Sequence, residues 1–314
     1  MIRVVRVLAP NPGPFTLEGT NTWIVGENPA LVVDPGPDDA GHLLEVIDAA
    51  GPVAAILVTH DHPDHSPGAA RLAEAAGAPV RAFRGVPPEQ RLRDGEAIAA
   101  GRVLLRAVHT PGHSRDHVAF FLQEDRALFT GDAVLGRGTS VIDPPEGDLA
   151  AYLRSLRAMQ DLGARTIYPG HGPAVFSAAE KLAEYVDHRA ERERQVLAGL
   201  RRGPATPEEL VPAIYEGEAP PEVYPVAARS VLAHLIKLER EGRVEHVGPP
   251  AENRFAMAKA RACEVCGRPA LPRSRVCERH SMALLQEELP SDAAGSDEAS
   301  SVDKPAEGEQ AGEP

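Results

Sequence analysis

Three histidines and two aspartates stand within six consecutive residues of this chain. They follow an apolar run, residues 54–58, which predicts a buried strand, and a helical pattern comes next. Loops between a strand and a helix are common places for chemistry. Imidazole and carboxylate side chains together suit a zinc or iron ion. We therefore expect His60 and His62 to face one metal ion, while Asp64 and His65 reach a second ion close by.

One loop cannot fill the coordination spheres of two metal ions, so other segments must contribute ligands. Three further motifs each place a polar residue beside glycine, directly after an apolar run that predicts a strand. They are TPGH with His113, GD with Asp132 and GHG with His171. Glycine permits the tight turn and close backbone approach that such a site needs. Residues at the ends of several strands can then converge on one edge of a sheet.

This ordered set of motifs, HxHxDH, TPGH, GD and GHG, resembles the metallo-β-lactamase superfamily. The resemblance implies an α/β fold, the four-layer αβ/βα sandwich of that superfamily, with a dinuclear zinc site. It places one ion on His60, His62 and His113, and the other on Asp64, His65 and His171. Asp132 is the implied bridge, and Asp64 and Asp132 are the expected catalytic carboxylates. The alternative, solvated loop histidines and capping aspartates, fits any single motif but not the whole ordered set.

Composition limits the class of protein. The 314 residues, 43% of them hydrophobic, are enough for a sizeable core and more than one domain. No apolar run reaches the roughly 18 residues of a membrane span, and the N-terminus lacks a secretory pattern. We therefore expect a cytoplasmic protein without a membrane partner. Part of the net charge of −13 lies between Glu287 and Pro314, which hold nine acidic residues and one lysine.

Four segments are predicted along the chain. They are a hydrolase domain at 1–176, a helical linker and winged-helix-like domain at 177–257, a zinc knuckle at 258–284 and a disordered acidic tail at 285–314. In the second segment, Thr206, a proline and two acids begin one helix, and Gly242 ends another before a short hairpin. Within the linker helix, the charged run 188–195 predicts a solvated face.

From Asn21 to about Val244, the chain resembles one branch of the superfamily more closely. This branch is the lactamase-beta-like protein 2 group of zinc endoribonucleases, which cut single-stranded RNA and carry a similar winged-helix-like module. The PGHSRDH run at 111–117 is among the motifs that support this resemblance. We assign Asn21 and His117 to substrate binding, and His117 also to catalysis as a proton donor. The alternative for His117 is a histidine satisfied at the start of a strand.

A separate motif near the C-terminus predicts a structural zinc ion. Its ligands, in the pattern CxxC…CxxH, are Cys263, Cys266, Cys277 and His280. A segment this short has too little core to fold without the metal. Residues 259–280 hold six Arg or Lys and two Glu, which would suit single-stranded nucleic acid. The alternative is three reduced, free cysteines.

The sequence thus predicts a zinc-dependent hydrolase with two catalytic zinc ions and one structural zinc ion. Zinc lowers the pKa of a bound water and so generates hydroxide at neutral pH. We expect an endoribonuclease acting on single-stranded RNA. The alternatives are a thioester hydrolase of the hydroxyacylglutathione hydrolase type, acting on a small acyl conjugate, and a non-catalytic nucleic-acid-binding protein. The complete ligand set argues against the last, and the C-terminal modules favour RNA. The sequence does not decide whether the protein forms a homodimer.

Overall fold

The computed structural model of the chain describes residues 1–249 and 252–259. All but the last of these lie in one compact unit, Met1–Ala258. The second unit, Lys259–Pro314, contains the acidic tail and all but the first residue of the predicted zinc knuckle, and residues 260–314 lie outside the described residues. Those include the predicted ligands Cys263, Cys266, Cys277 and His280. Within the described part, no helix is long and apolar enough to cross a lipid bilayer.

The first sheet has five strands, which pair in chain order. They are β1 (Val4–Leu8), β2 (Asn21–Gly26), β3 (Ala30–Val33), β4 (Val53–Leu57) and β5 (Val80–Arg81). Strands β1 to β3 are antiparallel, whereas β3, β4 and β5 run parallel. The parallel strands are connected by helices α1 (Ala40–Ala50) and α2 (Ala69–Ala76). Parallel strands need such crossovers, because the chain must return to the same end of the sheet.

The second sheet also has five strands, in the order β10-β9-β8-β7-β6. They are β6 (Ala97–Ala100), β7 (Val103–His109), β8 (Val118–Leu122), β9 (Ala127–Gly131) and β10 (Thr166–Pro169). Helix α3 (Leu149–Asp161) joins the parallel pair β9 and β10, and α4 (Ala178–Leu200) follows β10. The predicted helix at 148–161 is confirmed. Asp148 caps it by accepting a hydrogen bond from the backbone N–H of Ala151, at 2.8 Å.

The two sheets face each other across a shared core. Trp23 and Leu57 of the first sheet pack there with Phe120 and Phe129 of the second. The opposite face of the first sheet is covered by α1 and α2, and that of the second by α3 and α4. Because both faces of each sheet are covered, strands such as β8 are apolar throughout. This is the four-layer αβ/βα sandwich that the sequence predicts.

A winged-helix module follows the sandwich. It consists of α5 (Pro207–Tyr215), α6 (Tyr224–Arg240) and a hairpin of β11 (Val244–His246) and β12 (Phe255–Met257). The predicted helix start is confirmed, since the Thr206 and Glu209 side chains form a reciprocal capping box. The module shares its core with the C-terminal part of α4, through Val196, Leu197 and Leu200. Two short 3₁₀ helices, Pro88–Gln90 and Pro221–Val223, complete the elements of the described residues.

The charged run on α4 is not the solvated face that the sequence predicts. Arg189 is 3% exposed and Arg192 is 4% exposed. Arg192 donates a hydrogen bond to the carbonyl of Ile214, at 3.1 Å, and lies 4.1 Å from the ring centre of Tyr215. The reason is that α3, α5 and α6 all pack on α4. Arg189 and Arg192 are therefore enclosed by neighbouring helices that local sequence cannot reveal, whereas Arg194 of the same run stays 73% exposed.

Gly112 precedes the predicted ligand of the TPGH turn and has a φ of +140°. A Cβ at this position would lie 2.3 Å from the Cα of Tyr152 in α3. We predict that Gly112→Ala lowers the free energy of unfolding by about 3 kcal/mol or more, since overpacking adds to backbone strain. The measurement is urea unfolding of metal-free protein.

Gly77 provides the matched control. Its φ is also positive, at +62°, but an added Cβ would meet no atom within 4 Å. Gly77→Ala should therefore cost only the backbone strain of about 1 kcal/mol. Equal losses in the two variants would contradict the close packing of the TPGH turn on α3.

Candidate metal centre

Four loops bring the predicted metal ligands to one edge of the two sheets. The HxHxDH loop follows β4, the TPGH turn follows β7, Asp132 follows β9 and the GHG turn follows β10. Backbone hydrogen bonds join the sheets here. The N–H of Val118 donates to the carbonyl of Thr59, and the N–H of Asn21 to that of Gly170, each at 2.8 Å. The loops therefore form one connected surface.

The first group of ligands contains three histidines, His60, His62 and His113. The Nδ1 atom of His62 lies 3.0 Å from Nε2 of His60 and 3.1 Å from Nε2 of His113. Three ring nitrogens so close together can share one metal ion, which is the first of the two sets that the sequence predicts.

The second group contains Asp64, His65, Asp132 and His171. Nε2 of His171 lies 3.1 Å from Oδ2 of Asp64 and 3.3 Å from Oδ1 of Asp132. The other oxygen of Asp132, Oδ2, lies 3.8 Å from Nε2 of His113 in the first group. One carboxylate thus presents an oxygen to each group, as a bridging ligand would.

The ring nitrogens that point away from the two groups indicate whether these residues fit a metal. Nδ1 of His113 lies 2.8 Å from the carbonyl of Val141, and Nδ1 of His171 lies 3.2 Å from that of Gly19. A carbonyl can only accept, so Nδ1 of these rings carries the proton. Nε2 is then the nitrogen directed into the group, and it can bind a metal once it has lost any proton of its own. This arrangement is characteristic of metal-binding histidines, so the residues fit a metal.

Asp34 is the hydrogen-bond acceptor for the Nδ1 atom of His65, and the sequence did not predict this role. Its Oδ2 lies 2.9 Å from Nδ1 of His65. Its two oxygens also accept hydrogen bonds from the backbone N–H and the hydroxyl of Thr59, at 2.7 and 2.8 Å. Asp34 is 1% exposed and has a φ of +53°. An aspartate directly after a buried strand and before Pro35-Gly36 was the available signal, but the same pattern is equally typical of a turn residue.

The electrostatics of the site favour binding of cations. Burial by itself would raise the pKa of Asp132, but the charges and hydrogen bonds of His65 and His171 hold it well below its usual range. Burial would lower the pKa of His171, but hydrogen bonds with Asp132 and Asp64 raise it to about 9. The carboxylates therefore stay ionised, and the histidines can exchange a proton for a metal ion. The metal affinity of such a site depends on pH.

The structure gives no access to substrate for two residues that the sequence assigns to it. His117 and Asn21 are both 0% exposed. Nδ1 of His117 lies 2.8 Å from the hydroxyl of Thr110, and its ring packs 5.0 Å from that of His60. Asn21 donates to the carbonyls of Pro169 and Gly172. Both side chains therefore lie behind the ligand loops, and their assignment to substrate binding stays a prediction.

An open cleft of about 710 Å³ lies over the two groups. Its floor includes His62, Asp64, His113 and Asp132. The surrounding apolar lining consists of Pro14, Phe15, Leu17, Pro37, Pro63, Leu135 and Val141. Arg137 is the one cationic residue among the described residues of the lining, and it is paired with Glu18. The cleft is thus apolar and acidic rather than basic.

The contact between Asp34 and His65 predicts a loss of metal affinity in Asp34→Asn. The amide cannot hold His65 Nδ1–H with a full negative charge, so affinity for one metal ion should fall by about 10- to 100-fold. Chelator competition on the folded protein measures this change. The control is Asp38→Asn, since the Asp38 side chain is 44% exposed and pairs with a surface arginine. Equal affinities in both variants would show that Asp34 does not orient His65.

Similarity to known proteins agrees with this geometry. Residues 15–86 and 81–171 match the metallo-beta-lactamase superfamily, and residues 206–251 match the beta-lactamase associated winged helix domain. The chain is 39% identical to an atrochrysone carboxyl ACP thioesterase of Aspergillus fumigatus, over 70% of this chain and 76% of that protein. It is 34% identical to the beta-lactamase-like protein 2 homolog of Caenorhabditis elegans, over 77% of this chain and 86% of that protein.

Solved structures show the same fold. A metallo-beta-lactamase family protein from Thermus thermophilus has a TM-score of 0.68 and 28% identity, covering 81% of this chain and 98% of that one. A beta-lactamase domain protein from Burkholderia ambifaria has a TM-score of 0.69 and 26% identity, covering 82% and 91%. The chain belongs to the metallo-β-lactamase superfamily of hydrolases and carries that superfamily's associated winged helix domain.

Proposed function

We propose that this protein is a zinc hydrolase of acyl thioesters, with two zinc ions at the two ligand groups. The observation that carries the choice of substrate is the lining of the cleft. Apolar side chains surround the metal ligands, and the one cation among the described lining residues, Arg137, is already paired. Such a lining suits an apolar acyl group and provides little to hold a chain of phosphates.

The acidic side chains of the cleft strengthen this choice. Burial would raise the pKa of Asp64, but hydrogen bonding to His171 and the charge of His65 leave it lowered. Asp64 and Asp132 therefore stay ionised at neutral pH, and Asp143 and Glu146 add two further carboxylates to the lining. Bound zinc would compensate the charges of Asp64 and Asp132, and Asp143 pairs with Arg229. Glu146 is therefore the carboxylate of this lining that would oppose a chain of phosphates.

Zinc, when bound, would supply a water of lowered pKa and would polarise the carbonyl of the substrate. His60, His62, His113, Asp64, His65, His171 and Asp132 would hold the two ions. The ionised carboxylate of Asp64, whose side chain is 24% exposed, faces the cleft and can orient the attacking water. Phe15 and Leu17 would exclude bulk water from the acyl group. The thioesterase name of the Aspergillus relative supports this reaction class.

Cleavage of single-stranded RNA is the second candidate, and one feature favours it. A groove of about 480 Å³ lies between the winged-helix module and the residues before α3, with Arg115, Lys237 and Arg240 in its lining. Glu146 lines both this groove and the metal cleft, so the two are neighbours. A single strand bound there could continue toward the metal ligands.

Cleavage of RNA is the second candidate because these cations already have partners within the protein. Arg240 pairs with Asp148, and Lys237 pairs with both Glu193 and Glu241. Arg115 donates to the carbonyl of Pro145, at 2.9 Å. Phosphates would have to displace these partners, which reduces the gain from neutralising them. The third class, a non-catalytic nucleic-acid-binding protein, does not account for a complete ligand set.

The thioesterase proposal predicts chain-length selectivity that depends on Phe15. Its side chain is 59% exposed at the cleft, so an acyl chain can still cover it. Phe15→Ser should lower kcat/KM for a long-chain acyl thioester by about tenfold, which corresponds to about 1.4 kcal/mol of lost apolar burial. Hydrolysis of an acetyl thioester should change little, because an acetyl group has almost no apolar surface to bury against Phe15.

Phe176→Ser is the matched control, since Phe176 is 78% exposed and does not line the cleft. Both thioesters and an unstructured RNA are compared under the same conditions. A drop for acetyl and long-chain thioesters alike would argue against acyl recognition by Phe15. Rapid RNA cleavage without thioester turnover would replace the first candidate with the second.

The ligand count predicts about three zinc ions per chain, two at the described groups and one at the proposed knuckle. Cys263→Ser combined with Cys266→Ser should remove about one ion and leave hydrolysis of a small thioester unchanged, because the catalytic ligands all lie before Pro173. Metal analysis of the purified protein gives the count. A loss of all metal in the double variant would contradict a separate knuckle site, and full retention would contradict a zinc site there.

A further inference from the structure

The segment between β9 and α3, residues 132–148, contains no helix or strand, yet it forms part of the metal centre. The carbonyl of Val141 lies 2.8 Å from Nδ1 of His113, and the hydroxyl of Ser140 lies 3.2 Å from the same atom. Leu135, Ser140 and Val141 also line the cleft. The position of this segment therefore decides both the orientation of His113 and the shape of one cleft wall.

Two buried side chains of α4 hold the backbone of this segment. The hydroxyl of Tyr185 accepts a hydrogen bond from the N–H of Leu135, at 2.8 Å, and donates to the carbonyl of Gly138, at 3.0 Å. Arg189 donates through Nη2 to the carbonyl of Ser140. Tyr185 and Arg189 are four residues apart and so share one face of the helix. Their contacts fall at three successive points just before Val141.

The burial of Arg189 indicates that its hydrogen bond to Ser140 does more than fill space in the core. Its guanidinium is 5.3 Å from the ring centre of Tyr152, and its Nε has no hydrogen-bond partner. Among the described residues, no carboxylate is paired with Arg189. Burying a cation without a paired anion is strongly unfavourable, and an apolar residue would usually be more stable there. The presence of an arginine at this position points to a requirement for its donors.

Surface links to the same segment cannot replace these contacts. Arg229 of α6 pairs with Asp143, and Arg240 pairs with Asp148. The arginine side chains of both pairs are more than half exposed, and exposed ion pairs contribute little to stability. The hydrogen bonds of Tyr185 with Leu135 and of Arg189 with Ser140 are buried, and that of Tyr185 with Gly138 is partly buried. All three involve backbone groups, which are costly to leave without partners.

We infer that Tyr185 and Arg189 are positioning residues, which hold the 132–148 segment against His113 and thereby set the first ligand group. This inference rests on the proposed two-metal site and adds α4 to its support. Because α4 also contributes to the core of the winged-helix module, that module shares the helix on which the metal centre depends.

The test uses Tyr185→Phe and Arg189→Met in the full chain. Each removes the donors or acceptors and keeps most of the packing. Chelator competition should show that affinity for one of the two ions at the hydrolase site falls by about tenfold, as when other outer partners of ligands are removed. In metal-free protein, amide hydrogen exchange of residues 135–141 should become faster.

Two control variants carry the same chemical changes elsewhere. Tyr215→Phe alters a tyrosine of the winged-helix core, and Arg194→Met alters a 73% exposed arginine of α4. Both should bind metal and exchange amides like the unmodified protein. If Arg189→Met does not fold, Tyr185→Phe carries the test, since it removes one oxygen atom only.

The outcomes separate the inference from the proposed function. Folded Tyr185→Phe and Arg189→Met proteins that bind both ions with unchanged affinity would overturn the inference, even if turnover fell. Unchanged exchange of residues 135–141 in metal-free protein would overturn it as well. If the unmodified protein bound no metal at the hydrolase site, the proposed function would fail, while the exchange measurement would still decide whether α4 holds the segment.

Discussion

The metal centre depends on hydrogen bonds that the histidines make away from the metal. Asp34 holds His65, the carbonyl of Val141 holds His113 and the carbonyl of Gly19 holds His171. Each bond occupies one ring nitrogen and leaves the other directed toward a shared point. Nitrogen lone pairs at 3.0–3.2 Å from one another repel unless a cation or proton stands between them. The outer acceptors therefore impose an arrangement that becomes favourable when a metal ion or a proton lies between the nitrogens.

These outer acceptors are available because the fold places several chain segments behind the ligand loops. Asp34 follows β3, Gly19 precedes β2 and Val141 lies in the segment before α3. Both sheets have a covered face on each side, so their strands cannot shift without exposing apolar side chains. Hydrogen bonds between the sheets, such as Val118 N–H to the carbonyl of Thr59, lock their edges together. A rigid edge is what keeps ligands from four loops in register.

The pairing of surface charges, among the described residues, favours an acyl thioester over RNA as the proposed substrate. The arginines and lysines around the cleft and its neighbouring groove are held by carboxylates or carbonyls of the protein itself. Apolar side chains such as Phe15 remain exposed at the cleft instead. A winged helix alone does not indicate nucleic-acid binding, because binding of phosphates needs cations that are free to accept them. Here Arg229 and Arg240 of α6 pair with Asp143 and Asp148 of the hydrolase domain, and Lys237 pairs with Glu193 of α4.

The sequence by itself predicted the two ligand groups, through polar motifs beside glycine after apolar runs. The resemblance of those motifs to the metallo-β-lactamase superfamily implied the sandwich. Local signals predicted α3, through its apolar periodicity, and the start of α5, through the cap of Thr206. Only the tertiary structure decided the role of Asp34, the burial of His117 and the enclosure of Arg189. Asp34 and His65 are 31 positions apart, and Arg189 and Ser140 are 49 apart. Burial and pairing depend on which distant segments meet, and a local pattern of charge or spacing carries no information about those neighbours.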